Sequence, residues 1–228
     1  SRGLGDVYKR QEFGYREIVE VDLPALAGEL DRRFPGHPLL LAGHSLGGQL
    51  SLLAAARRPR DFDGIVLLAA GTAHAEAWRG PGYWRAAFLF GLVRTIARLT
   101  PWYPGHLVGF GGEQPRRLMR DWGLVNRTGR YAPEGSRFDY ESALRAIDLP
   151  ILAIGVAGDP IAPPAAIAAL LAKTGATEIE LATVSGVATD SAWRRHMSWA
   201  RRPQSVMPPL EAWLERRFGG DAAAAALA

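Results

Sequence analysis

The chain contains no cysteine, which excludes disulfides, thiolate metal centres and a cysteine nucleophile. Lysine is almost missing too: Lys9 and Lys173 stand alone, and arginine carries the basic side of the +4 net charge. These arginines come in ones and twos, as in Arg32-Arg33, Arg57-Arg58, Arg116-Arg117 and Arg216-Arg217. Without a long basic run or a binding module, they read as solvated helix faces rather than a nucleic-acid groove. No apolar run reaches the ~18 residues that span a bilayer; the nearest, Ala86 to Leu99, is interrupted by Arg94 and Arg98. Internal repeats are absent as well. What is present is a 48% hydrophobic chain of 228 residues, enough for one substantial core or a core with an inserted subdomain. Its arginine and alanine content points to GC-rich bacterial coding sequence. A cytoplasmic location, no metal and no cofactor are expected.

The first eleven residues stand apart. Asp6-Val7-Tyr8-Lys9-Arg10-Gln11 resembles the in-frame translation of a sequencing-library adaptor, and such scars are set aside in fold reasoning. Native sequence is then expected from Glu12, in a chain that is an N-terminal truncation.

Further along, apolar residues Val19, Leu23, Leu26, Leu30 and Phe34 recur at helical spacing, and Pro24 implies either a helix start near Asp22 or a kink. Pro35-Gly36-His37-Pro38 ends that helix and launches a strand at Leu39. Gly64 to Ala70, Pro150 to Gly155 and Glu178 to Leu181 read as further strands, with helices over Ala165 to Lys173 and Pro208 to Phe218. Helix-length segments between apolar strands imply an α/β architecture with a parallel sheet covered on both faces. The stretch 73–146 differs: Trp78, Tyr83, Trp84, Phe88, Phe90, Trp102, Tyr103, Phe110 and Trp122 gather among glycines and prolines with no strand alternation. It is expected to be a helical cap lying over the ligand-binding edge of a core made of 12–72 and 147–218, with 219–228 a flexible tail.

The most informative pentapeptide is Gly43-His44-Ser45-Leu46-Gly47, between the apolar run from Leu39 and the helix-forming Gly48 to Ala56. A strand, a tight turn and a helix meeting at a serine is the context in which G-x-S-x-G acts as a nucleophile elbow. Gly43 and Gly47 would let neighbouring backbone approach a serine in a strained turn. The bland alternative is a serine that only caps the helix. A serine nucleophile needs a base and an acid to orient it, in chain order serine, acid, histidine. Asp159, after the strand ending at Val156, fits the acid, although it could simply cap the proline-opened helix. Asp148 precedes that strand, and Asp121 and Asp139 lie in the insertion. Of five histidines, His37 is at the wrong strand end, His74 and His106 belong to the insertion, and His44, inside the elbow, is expected to point away. His196, on the loop Ser185 to Trp199, is left as the base. The backbone N–H of Leu46 should supply one oxyanion donor.

With these residues in place, the chain resembles a bacterial α/β-hydrolase family related to serine aminopeptidase-like and monoacylglycerol-lipase-like enzymes. The likeness rests on Val21-Asp22-Leu23-Pro24-Ala25-Leu26, the elbow through Leu50, Tyr103-Pro104-Gly105, and Asp159-Pro160-Ile161-Ala162-Pro163-Pro164. It implies Ser45, Asp159 and His196 as nucleophile, acid and base, and about four strands upstream of the first helix here, including the loop with the second oxyanion donor. One departure is that Arg195 stands where the family usually has glycine before its histidine. The expected function is cleavage of a carboxylic ester, lipid-like or acyl, in a small apolar substrate, through an acyl-enzyme. Alternatives are amide or thioester cleavage by the same triad, or a truncated, non-catalytic scaffold used for binding.

Overall fold

A computed structural model describes residues 13–78, 83–100, 102–108 and 112–219. The adaptor-like leader, Phe110 and the tail beyond Gly219 lie outside the described residues.

Six strands are present among the described residues: β1 (Leu40–His44), β2 (Gly64–Leu68), β3 (Trp102–Pro104), β4 (Glu113–Pro115), β5 (Ile151–Val156) and β6 (Ile179–Val184). Four form one parallel sheet in the order β1-β2-β5-β6, and β3 pairs antiparallel with β4. The main helices are α1 (Leu23–Arg33), α2 (Leu46–Arg57), α3 (Tyr83–Leu99), α4 (Arg116–Thr128), α5 (Tyr140–Arg145), α6 (Pro164–Leu171), α7 (Ala192–His196) and α8 (Met207–Phe218). The fold is that of the α/β hydrolases.

The central strands β2 and β5 are covered on both faces, which is why they read as unbroken apolar runs: Ile65, Leu67, Ile151 and Ile154 are almost fully buried. Helix α2 is buried from Gly48 to Ala56, so it is apolar all round rather than amphipathic. On the opposite side, Trp213 of α8 packs so closely that a Cβ on Gly64 would lie 2.9 Å from its ring. The outer strand β1 has β2 as its sole partner among the described residues, and Val21, Leu26 and Phe34 nearby are exposed.

Three local expectations are corrected. The first helix begins at Tyr15, and a π-helical turn over Ile18–Asp22 leads into α1; it takes up the disruption caused by Pro24, which has no N–H to give. The aromatic stretch does contain strands, the β3–β4 pair, each too short to show alternation. And the segment 185–199 carries α7 and a turn of helix over Ser198–Arg201, so His196 ends a short helix rather than sitting on an open loop.

Between β2 and β5, α3 and α4 pack through an edge-to-face contact of Phe90 and Trp122, 5.3 Å apart. Asn126 ties α4 to the end of β2 by donating to the Ala73 carbonyl at 2.8 Å. Asp121, buried on the same helix, accepts from the backbone N–H of Tyr15 and of Glu134. Phe90 of α3 and Leu118, Met119 and Trp122 of α4 line one cavity with Ser45, at the end of β1.

Candidate active site

Ser45 occupies the sharp turn from β1 to α2 with φ 54° and ψ −118°, a backbone state that side-chain-bearing residues rarely adopt. Three constraints hold it there. Its N–H donates to the Leu68 carbonyl at 3.0 Å, and its own carbonyl accepts from Gly48 N–H at 3.1 Å. A Cβ on Gly43 would sit 2.4 Å from the backbone of Gly47 and Gly48, so only glycine allows the chain to cross itself. The second crowded glycine of the elbow is Gly48, where a Cβ would lie 2.5 Å from the Ala70 methyl, and not Gly47, around which there is open space. Ser45 makes no side-chain cap bond to α2, so the capping alternative fails. The N–H of Leu46 opens α2, where first-turn donors have no partner within the helix.

Asp159 follows β5 and is buried with His196: both side chains are 0% exposed, and His196 Nδ1 lies 2.6 Å from Asp159 Oδ2. The other carboxylate oxygen accepts from Ile161 N–H at 2.8 Å. Asp159 therefore does not cap α6, whose N-cap is Pro163. With Nδ1–H given to the carboxylate, the second ring nitrogen is left as the acceptor. His196 Nε2 is buried with no hydrogen-bond partner among the described residues.

His44 departs from expectation. Its ring does not point away but packs against His196, centroids 4.6 Å apart, with Trp199 behind it at 5.3 Å. Burial, and next the neighbouring His196, push its pKa down to about 4, so it is neutral at neutral pH. Trp193 completes the surroundings, 5.9 Å from His196. Asp148, His37, His74 and His106 are not brought to this place.

A cavity of about 260 Å³ opens beside Ser45 and Leu46. Its far wall is Phe90, Leu118, Met119 and Trp122 from α3 and α4, and Trp193 lines it too. Gln49 braces its base, donating to the Gly71 carbonyl at 2.8 Å and accepting from Tyr131 O–H at 3.0 Å. Larger concavities of about 500, 710 and 590 Å³ lie under α1, between α3 and α4, and beside Arg16, Arg57 and Phe138, away from the serine. Sequence reasoning missed Gln49, Tyr131, Trp193 and Trp199; the Trp193, His196, Trp199 spacing of three was the one available signal. No group of three or more metal-ligating side chains occurs among the described residues.

A parallel sheet with a strained serine leaving one strand and a buried acid leaving another defines the α/β-hydrolase class. Within it, the chain belongs to the family described as "Serine aminopeptidase, S33", which it matches over residues 10–188; His196 lies beyond that match. Among curated proteins it is similar to monoglyceride lipase of Rattus norvegicus, 42% identical over 52 residues, 23% of this chain and 17% of that enzyme. The match thus spans far less than two thirds of its relative. Similar solved structures include a soluble variant of Saccharomyces cerevisiae monoglyceride lipase bound to a substrate analogue (TM-score 0.58, 14% identity, 89% of this chain and 69% of that one). An esterase domain from a Rhodothermus marinus protein is another (TM-score 0.52, 17% identity, 90% and 70%). At these identities the solved structures speak to fold. No helix among the described residues is long and apolar enough to cross a membrane.

Proposed function

We propose that the protein is a serine hydrolase cleaving carboxylic esters with an apolar acyl group. The observation that carries this reading is the buried 2.6 Å contact between His196 and Asp159, beside a cavity onto which a strained serine opens. Ser45 Oγ attacks the ester carbonyl while His196 Nε2 takes its proton, and Asp159 holds Nδ1–H and stabilises the imidazolium. Leu46 N–H donates to the oxyanion. The imidazolium then protonates the departing alcohol, leaving an acyl-enzyme on Ser45. Water, deprotonated by His196, attacks that acyl group and releases the carboxylic acid. No hydrogen bond joins Ser45 Oγ to His196 among the described residues. Catalytic hydrogen bonds are often long before substrate arrives.

The apolar wall of Phe90, Leu118, Met119 and Trp122 favours an acyl chain over a charged group. Amides and thioesters would use the same machinery. The open Ser45–His196 contact favours a second reading, a hydrolase scaffold that binds without cleaving. An active-site-directed fluorophosphonate separates the two. Labelling at Ser45, lost together with ester hydrolysis in Ser45→Ala, is expected; turnover unchanged by that substitution overturns the hydrolase assignment.

A further inference from the structure

We infer that Arg195 is a positioning residue whose guanidinium brackets the two segments carrying the acid and the base; the inference builds on the roles proposed for Asp159 and His196. Arg195 Nη1 donates to the Gly158 carbonyl at 3.3 Å, and Nη2 donates to the Thr189 carbonyl. Gly158 is the residue before Asp159, while Thr189 belongs to the segment leading from β6 into α7. One side chain, adjacent in sequence to His196, thus holds the backbone on either side of the His196–Asp159 contact.

The surroundings are shaped for it. Gly158 has φ 69°, and a Cβ there would lie 3.0 Å from Arg195 Nη1; one on Gly186 would lie 3.5 Å from Arg195 Cγ. The close approach is at Gly158, whose missing Cβ leaves room for the guanidinium; the contact at Gly186 is an ordinary van der Waals one. Arg195 forms no ion pair among the described residues, so its donors are directed to backbone carbonyls rather than to a carboxylate. A planar fork can reach two carbonyls at once, whereas an ammonium on a flexible stem holds one point. The need for such a bracket is local. Neither segment is in the sheet at these residues, and a buried imidazole displaced by about 1 Å can lose roughly 100-fold in rate.

The test compares the wild-type chain with Arg195→Met, using Arg194→Met, an exposed neighbour on the same short helix, as control. In the wild type and the control, His196 Nδ1–H should give a far-downfield proton resonance, as expected of an imidazole donating to a buried carboxylate. In Arg195→Met that resonance should broaden or vanish while circular dichroism stays unchanged. In ester hydrolysis kcat should fall about tenfold with KM within about twofold. Should Arg195→Met fail to fold, Arg195→Lys keeps stem and charge, cannot span both carbonyls, and should lose the same resonance. An unchanged resonance and kcat in the folded variant, or no such resonance in the wild type, overturns the bracket. A chain that shows the resonance yet takes no fluorophosphonate would sink the hydrolase reading and leave the bracket standing.

Discussion

Ser45 and His196 are held at the candidate site by opposite means. Ser45 is held by main chain: its N–H on Leu68, its carbonyl on the first turn of α2, and Gly43 lying against the backbone of Gly47 and Gly48. His196 is held by side chains: the Asp159 carboxylate at 2.6 Å and the rings of His44 and Trp193. A position fixed by main-chain sterics tolerates change in every neighbouring side chain except where a Cβ would collide. A position fixed by side chains depends on each partner, and those partners lie far apart in sequence. The two ends of the proposed triad should therefore fail differently when mutated, one through folding and the other through chemistry.

The largest effect is expected on the side-chain-held end. Asp159→Asn preserves shape but offers an amide where Nδ1–H needs a carboxylate, so the imidazole is held in the wrong tautomer. By analogy with serine proteases, kcat should fall by about 10⁴ with the unfolding midpoint little moved; a loss under tenfold removes Asp159 from the acid role. The main-chain-held end should show the reverse. Gly43→Ala forces a methyl to within 2.4 Å of two residues of backbone, which overpacking of this severity should make destabilising by about 2–4 kcal/mol. Gly47→Ala meets open space on a helix where alanine is favoured over glycine by about 1 kcal/mol, and should be neutral or stabilising. Urea unfolding of the two variants side by side measures the contrast, and equal losses would show that the elbow is not held by close approach at Gly43.

This difference also explains what the sequence reveals. The elbow is legible because its constraints are local: a run of apolar residues, glycines at fixed offsets and helix formers all fall within 17 residues, from Leu40 to Ala56. The strands of the parallel sheet are legible for the same reason, β1, β2 and β5 as apolar runs ended by turns and β6 as a short alternation. Asp159 and His196 could be nominated by chain order, but their contact depends on the turn after β5 meeting the end of α7 across 37 positions, which no local pattern encodes. The packing of His44 against His196 is not legible in the sequence, because in a regular strand the side chains of neighbouring residues diverge. The turn at Ser45, with φ 54°, breaks that alternation. Strands of three residues, such as β3 and β4, carry no period, and the crowding at Gly48 depends on Ala70, which follows a different strand.

The smallest expected effect concerns His44, where the comparison can be sharpened by pH. Its ring is partly buried, and desolvation, followed by the adjacent His196, lowers its pKa from an ordinary 6.5 to about 4. In the unfolded chain the same imidazole takes up a proton at about pH 6.5. Between these two values the unfolded state binds a proton that the native state refuses, so stability falls as pH is lowered. The contribution is fully present above about pH 6.5 and is lost as pH drops through about 4. Glu20 adds a pH dependence of its own: burial raises its pKa, but hydrogen bonds from Ser136 and Tyr140 and the charges of Arg57 and Arg16 outweigh that and lower it. The discriminating measurement is therefore a difference. His44→Phe keeps an aromatic ring against His196 and removes the titration. Its thermal midpoint should decline less than that of the wild type between pH 6.5 and 4, and the two curves should run parallel above pH 7. Parallel curves across the whole range would show that His44 does not resist protonation. The elbow histidine would then be a ring packed against the base, with no bearing on where charge is permitted in the site.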